Sequence, residues 1–487
     1  MTDVQSLRKA YEDAGQGHVF TFYDSLSSSD QESLLNQIAN LQITPAEITK
    51  IANSAIEAHQ DILFSTDPVD IKPLPSTSYA SVVDSDVTTI DSWNTLGLDL
   101  ISQNSVAVIL LAGGQGTRLG SSAPKGCYDV GLPSHKSLFQ LQAERIAKIQ
   151  QLADKHANKP AFSSVVPWYI MTSGPTRKPT EDFFKANSFF GLNPANVIFF
   201  EQGVLPCFTP EGKIIMETPS KLAVAPDGNG GIYLALHRSG VLADLKSRGI
   251  QHIHTYCVDN CLVKVADPIF IGFSAEKKLD IATKVVRKRD AHESVGLIVS
   301  KNSNPSVIEY SEISKELAEA TESSVNGESL LKFRAANIVN HYYSYNFLSS
   351  IPSWTPESIN LPYHVANKKI SYVDLESGDL IKPTQPNGIK LEQFVFDVFS
   401  SLDFSRFASL EVHREEEFSP LKNAPGTGSD DPETSRDDLL QQSTRWIAAV
   451  GASVEENGLV EVSPLTSYAG EGLQAFKGTE FKNLQII

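Results

Sequence analysis

The segment from Leu110 to Gly131, LLAGGQGTRLGSSAPKGCYDVG, gathers residue types that hold phosphate. An apolar run ends in a glycine-rich turn, followed by Arg118 and then Pro124-Lys125-Gly126. Glycines let backbone N–H groups approach an anion without side-chain interference. Arg118 offers a planar fork to phosphate oxygens, and Lys125, set by the proline before it, is a compact point charge. Two cations with backbone N–H groups suit a triphosphate whose charge shifts during phosphoryl transfer. The spacing fits neither common phosphate motif. A Walker A loop needs Gly-x4-Gly-Lys-Ser/Thr, but counting on from Gly113 or Gly114 reaches Arg118 or Leu119. A dinucleotide fingerprint fails because Leu119 stands where its third glycine belongs and Gly120 comes one residue late. Ser121 to Pro124 must also pass before any helix can start.

Further polar groups are scattered downstream. Asp259 closes the apolar stretch IHTYCVD, where a carboxylate at a sheet's carboxyl edge can hold Mg2+ against phosphates, or can simply make an Asx turn. The stretch APDGNGG reads equally as a turn before a helix. Glu309 follows Val307 and Ile308 on an expected strand, and Lys422 follows the acidic run Glu415-Glu416-Glu417. Either side chain alone could be merely solvated. Four cysteines are too few for a disulfide framework in 487 residues. Cys257 and Cys261, preceded by His252 and His254, lack convincing zinc spacing and read as buried thiols.

The elements around these residues alternate. Residues 1 to about 62 read as helices, one capped by Ser29 or Asp30 and one opened by Thr44 and Pro45. From about 65 to 100 a Ser, Asp, Pro and Thr composition predicts an extended connection. Val106–Leu111 is a continuous apolar run, as expected of a strand buried on both faces. SLFQLQAERIAKIQQLADKH is a helix capped by Ser137, and PWYIMT a strand. TEDFFKANSFFG is a helix capped by Thr180 with Gly191 past its end. NVIFFEQG is a strand, GGIYLALHRSG a short helix closed by Gly240, and IHTYCVD a fourth strand. This alternation implies right-handed crossovers and an open α/β sheet, with ligands beyond the carboxyl ends of its strands. From about 406, short strands (FASLEVHREEEFSP, GLVEVSP) surround one helix (SRDDLLQQSTRWIAAVG), as in a small α+β domain.

Composition bounds the function. The length predicts two or three domains. A formal net charge of -17 argues against nucleic-acid or anionic-membrane surfaces, so an acidic chain that binds phosphate must concentrate its cations locally. No apolar run is long enough for a membrane span, and MTDVQSLRKAYEDAG lacks the order of a signal peptide, so a cytoplasmic location is expected.

LLAGGQGTRLG, PKG and APDGNGG together resemble the signature of eukaryotic UDP-N-acetylglucosamine pyrophosphorylases, within the nucleotide-sugar pyrophosphorylase superfamily. The likeness runs from about residue 100 to FSPLKN at 418–423, and Ala112 with the Gln-Gly-Thr-Arg run favours the acetylhexosamine branch over UDP-glucose enzymes. Val224, Ala336 and Tyr342-Tyr343 depart mildly from the family pattern without removing a charge.

The resemblance implies a Rossmann-like open mixed sheet of nucleotide-diphospho-sugar transferase type over 101–405. A helical domain with an extended linker (1–100) would precede it and an α+β domain (406–487) follow it. It implies transfer of uridylyl from UTP to N-acetylglucosamine 1-phosphate, giving UDP-N-acetylglucosamine and pyrophosphate, with Mg2+ or Mn2+. Arg118, Lys125 and Lys422 would be catalytic, and Asp259 would bind nucleotide and metal. Ala112, Gly113, Gly114, Gln202, Pro226 and Gly228 would bind nucleotide, and Asn229, Gly296, Glu309 and Asn337 the sugar. Alternatives are a UDP-glucose or UDP-N-acetylgalactosamine enzyme, or a silent nucleotide-sugar-binding regulator. The regulator is disfavoured because Arg118, Lys125, Asp259 and Lys422 are all present. A nicotinamide-dependent oxidoreductase is disfavoured by the broken fingerprint.

Overall fold

In a computed structural model of the chain, the apolar run Val106–Leu111 is a strand with all six residues buried, part of an eleven-stranded sheet. The structure describes residues 4–64, 70–310, 312–323, 327, 329–355, 358–359 and 361–487. Two compact units form. The first comprises Met1–Pro68, Gln202–Ala235 and Thr355–Val398; the second comprises Val69–Glu201, Leu236–Trp354 and Phe399–Ile487.

The second unit holds the large sheet. Its main strands are β1 (Tyr79–Ser81), β2 (Val106–Leu111), β3 (Trp168–Thr172), β4 (Val197–Glu201), β5 (His252–Cys257), β6 (Ile281–Arg287), β7 (Ala335–Ser344) and β8 (Phe407–Val412). They lie in the order β1-β8-β6-β7-β5-β2-β3-β4. Neighbours run parallel except at β7, which is antiparallel to both β5 and β6. The sheet is therefore mixed, as the resemblance implied. A hairpin of Leu297–Lys301 and Asn304–Ile308 joins it through Leu297 opposite Ala336. The helix Leu138–His156 is capped where expected, with Ser137 accepting from the Gln140 N–H. It buries Phe139, Ile146 and Ile149 against β2 and β3 in one apolar cluster.

Three expectations in this unit are corrected and one is extended. Within 65–100, residues 65–69 lie outside the described ones; after β1 the chain is not extended but forms the helix Val87–Ser102, capped by Asp86. The helix expected at Thr180 begins earlier, as Gly174–Ala186, because Ser173 precedes a Gly-Pro start; Thr180 is interior and buried, and Ser188–Gly191 is a separate turn. Gly240 closes Ile232–Arg238 but also caps a further helix, Val241–Ser247. GLVEVSP is not a strand: Val460 and Val462 fill an apolar cluster with Ile447 and Phe481, and Glu461 makes one isolated bridge to Ile486. The helix at the C-terminal end is Pro432–Ala449, and β8 pairs within the large sheet.

In the first unit, helices Val4–Asp13, Ser28–Leu41 and Pro45–Phe64 share an apolar core with Leu205, Phe208, Ile214, Ile389 and Leu391. Ser27, rather than Ser29 or Asp30, caps the second helix, while Thr44 and Glu47 form the expected cap of the third. Buried Gln16 fastens helix to ladder, donating to Gly212 O at 2.9 Å and accepting from Ile214 N at 2.9 Å.

Candidate active site

The glycine loop leaves β2 with its backbone already committed. Ala112 N donates to Met171 O at 2.8 Å, and the Ser173 hydroxyl donates to Gly113 O at 2.7 Å. Gly116 N reaches Ala123 O at 3.0 Å and Lys125 N reaches Gly114 O at 3.2 Å, so the loop folds back on itself. Gly120 has φ 75°, a conformation that favours glycine. Gly114 and Arg118 are exposed, and Lys125 is half-buried. Two short turns, Thr117–Leu119 and Lys125–Cys127, carry the two cations. Gly126 packs on the Phe139 ring, where an added Cβ would collide with three ring carbons.

Two further segments join the loop. Lys125 Nζ donates to Leu421 O at 3.1 Å, and Leu421 N donates to Asp259 O at 2.8 Å. Asp259 sits in the turn after β5, two residues past its end at Cys257. The FSPLKN segment runs beside that turn, with Cys261 N donating to Ser419 O at 2.9 Å. The structure thus gathers Lys125, Asp259 and the Leu421-Lys422 stretch in one place. Electrostatics agree. Burial pushes the Cys257 thiol up, Asp259 pushes it further, and Lys422 and Lys125 oppose the shift, so all three charges reach one sulfur. Burial raises Cys127 and Cys261 to about 12 each, which makes thiolate nucleophiles of neither.

Among the described residues, no group of three His, Cys, Asp or Glu could hold a metal alone. Asp259, half-buried, is a single carboxylate. That suits Mg2+ carried on phosphates, which usually takes only one or two carboxylates from protein.

The expected sugar residues of this unit also meet. Asn337 N donates to Gly296 O at 2.8 Å, and a Cβ on Gly296 would come within 3.2 Å of Glu309 Oε1. Two separated segments therefore converge, the base of the hairpin and β7, with Glu309 exposed at the hairpin's end and Asn337 half-buried on β7. Asn337 Oδ1 accepts from Val339 N at 3.0 Å, and Glu309 N donates to Glu312 Oε2 at 2.9 Å.

Gln202, Pro226, Gly228 and Asn229 belong to the other unit. Pro226 pairs with Val204 in a two-stranded ladder, and Gln202 is half-buried just before it. The glycines of APDGNGG are needed for close packing. Gly228 has φ 87°, and a Cβ there would lie 2.9 Å from Gln393 N and closer still to its carbonyl oxygen. Gly230 N donates to Gln393 O at 2.8 Å, and Asn229 Oδ1 accepts from Val395 N at 3.0 Å. The loop is a fixed platform laid against residues 393–395.

Sequence reasoning passed over Ser173, whose hydroxyl pins Gly113, and Asn260, whose side chain links the Asp259 turn to Ser419. The Ser-Gly-Pro order at 173–175 was a readable helix start; Asn260 gave no signal beyond its place beside Asp259.

Residues 59–464 match the family model described as UTP–glucose-1-phosphate uridylyltransferase. The chain is 49% identical over 492 residues to the UDP-N-acetylglucosamine pyrophosphorylase of Saccharomyces cerevisiae, covering 100% of this chain and 99% of the relative. It is 44% identical to the human UDP-N-acetylhexosamine pyrophosphorylase-like protein 1, covering 100% and 97%. Among solved structures, the uridine diphosphate N-acetylglucosamine pyrophosphorylase of Trypanosoma brucei, crystallised with an inhibitor, superposes with a TM-score of 0.82. Its identity is 30%, over 98% of this chain and 95% of that one.

Proposed function

The chain belongs to the UTP–glucose-1-phosphate uridylyltransferase family and, within it, to the eukaryotic UDP-N-acetylglucosamine pyrophosphorylases, and from that premise we propose how its residues carry the reaction. It transfers uridylyl from UTP to N-acetylglucosamine 1-phosphate, giving UDP-N-acetylglucosamine and pyrophosphate. A phosphate oxygen of the sugar attacks the α-phosphorus in line, and pyrophosphate leaves. The acceptor is already an anion, so the step requires neither a protein nucleophile nor a general base. What must be overcome is the repulsion of one anion by another.

Arg118 and Lys125 are assigned to the triphosphate, with backbone N–H groups of the Ala112-Gly113-Gly114 turn. Lys422 is assigned to the phosphate of the acceptor and the growing diphosphate. The observation that carries this reading is the chain of bonds from Lys125 Nζ to Leu421 O and from Leu421 N to Asp259 O. It sets cations from two segments beside one carboxylate, as charge redistribution along an in-line displacement needs. Asp259 would hold Mg2+ or Mn2+, which when bound supplies positive charge to the phosphate oxygens. Gln202, Pro226 and Gly228 are assigned to the uridine. Gly296, Glu309 and Asn337, with Asn229, are assigned to the N-acetylhexosamine, where a carboxylate and amides orient hydroxyls and an acetamide. No described helix is long and apolar enough to cross a membrane, and a cytoplasmic location is part of the proposal.

Incubating the pure protein with UTP, Mg2+ and a panel of sugar 1-phosphates, then measuring pyrophosphate, tests the reading. Release should be fastest with N-acetylglucosamine 1-phosphate. Faster release with glucose 1-phosphate, or none with any sugar, would overturn it.

A further inference from the structure

Between Asp259 and Cys261 lies a side chain that no substrate can reach. Asn260 is 3% exposed, and its amide is used at both ends. Nδ2 donates to Glu417 O at 2.7 Å, while Oδ1 accepts from Ser419 N at 3.0 Å and Leu262 N at 3.2 Å. We propose that Asn260 is a positioning residue, fixing the Asp259 turn and the segment from Ser419 to Lys422 in one register. The proposal rests on the roles assigned above to Asp259 and Lys422.

Few backbone hydrogen bonds join the two segments. Their backbones meet at an isolated bridge between Asn260 and Pro420, flanked by the Cys261–Ser419 and Leu421–Asp259 bonds. A ladder this short has few bonds to hold its register. From one buried point the Asn260 side chain adds two more, to Glu417 and Ser419, and a third to Leu262 within its own turn. A buried amide so used is costly to remove, because each partner left behind loses its hydrogen bond out of reach of water.

The other end of the link is anchored in the sheet. Glu417, whose carbonyl takes the Asn260 bond, pairs through its carboxylate with Lys284 and, at 3.6 Å, with Lys264. Lys284, 0% exposed on β6, also pairs with Asp267 at 2.5 Å, and Asp267 caps the helix Pro268–Glu276. Two cations and two carboxylates balance within the core, which permits their burial. Glu417 is thereby fixed to the sheet, and Asn260 passes that fixed point to the metal-binding turn and the catalytic lysine. A small displacement matters there, since about 1 Å of misplacement can cost about a hundredfold in rate.

Two variants test this. Asn260→Ala removes all three bonds. Asn260→Ser keeps a small neutral hydroxyl in the turn and loses the amide donor to Glu417 without adding charge, so it serves if the alanine variant does not fold. The first readout needs no substrate: amide hydrogen exchange followed by mass spectrometry. Peptides covering 258–263 and 417–422 should exchange faster, with those covering 296–309 unchanged. The second is kinetic. Turnover should fall by about ten- to a hundredfold per folded molecule, and half-saturation by Mg2+ should rise. Wild-type exchange in the two peptides would overturn the proposal. So would a lowered melting temperature with unchanged turnover and Mg2+ requirement, the mark of a merely structural residue. If the wild type itself released no pyrophosphate, the proposed function would fail, and the exchange result would still decide whether Asn260 joins the two segments.

Discussion

Gly126→Ala should damage both stability and rate, because the glycine next to Lys125 has no room for a methyl group. The three atoms nearest an added Cβ are Cζ, Cε1 and Cε2 of Phe139, all inside ordinary contact distance. The ring cannot step aside. Phe139 is 0% exposed, with Phe184 edge-on at 5.0 Å and Phe183 at 6.3 Å. Overpacking of this kind costs about 1–3 kcal/mol. If the loop yields instead, the turn Lys125–Cys127 lifts, straining the 3.1 Å bond from Lys125 Nζ to Leu421 O. A displacement near 1 Å would then lower turnover by up to about a hundredfold. Thermal melting and pyrophosphate release measure the two effects. Adding Phe139→Leu, which removes the three clashing carbons, should recover part of the loss, giving a coupling of about 0.5–3 kcal/mol between the sites. A Gly126→Ala protein that melts and turns over like wild type, or strict additivity in the double variant, would refute the reasoning.

Arg118→Ala should cut turnover by roughly two to four powers of ten without changing the melting temperature, since an exposed loop cation supports no core. Glu309→Ala should weaken N-acetylglucosamine 1-phosphate by about ten- to a hundredfold and leave UTP nearly unchanged, as separate titrations of the two substrates would show. Asp259→Asn should raise the Mg2+ concentration needed for half-maximal rate; unchanged metal dependence would make Asp259 a turn cap only. His254 and His341, both fully buried, are held down to about 3 by burial, with Lys284 adding to the first and His254 to the second. Their unfolded forms gain protons below about pH 6.5 while the folded forms do not. Stability from this source is therefore complete above that pH and lost as pH falls, by up to about 1.4 kcal/mol per pH unit for each. His341→Gln should flatten the fall in melting temperature between pH 6.5 and 5.

What could be read from the sequence was what each segment carries within itself. Val106–Leu111 announced a buried strand because all six of its residues are apolar, and Ser137 and Thr44 announced caps because capping is local. Val87–Ser102 announced nothing. Its threonines, aspartates and Gly97 are poor helix formers, and the helix is held from outside: Trp93 packs edge-on against Phe273 at 5.2 Å, and Gly97 lies against the backbone of Pro268. Tertiary contact overrode local preference there. The site divides the same way. The glycine loop and its cations carry their proposed phosphate role within one segment, whereas the resemblance supplied Gly296, Glu309 and Asn337, which the structure brings together. Asn229 shows the limit. Its Oδ1 takes a hydrogen bond from Val395, and no local pattern reveals a partner so far along the chain.

The charge balance bears on the cations assigned to the phosphates. With 58 acidic residues against 41 basic ones, carboxylate partners are abundant in this chain. Lys284 takes two carboxylates, and Arg287 pairs with Asp84 and Glu411. Arg118, Lys125 and Lys422 make no ion pair among the described residues, and the polar contact of Lys125 is a backbone carbonyl. A carboxylate already bound to these groups would have to be displaced by every incoming phosphate, at a cost repeated each turnover. A carbonyl holds the ammonium in place while leaving its charge uncancelled. The buried Lys264, Lys284, Asp267 and Glu417 set takes the opposite course, cancelling its charges internally so that it can serve as scaffold. Asn260 lies between the two regimes, passing position from the neutralised core to the charged site by neutral hydrogen bonds that leave the site's electrostatics unaltered.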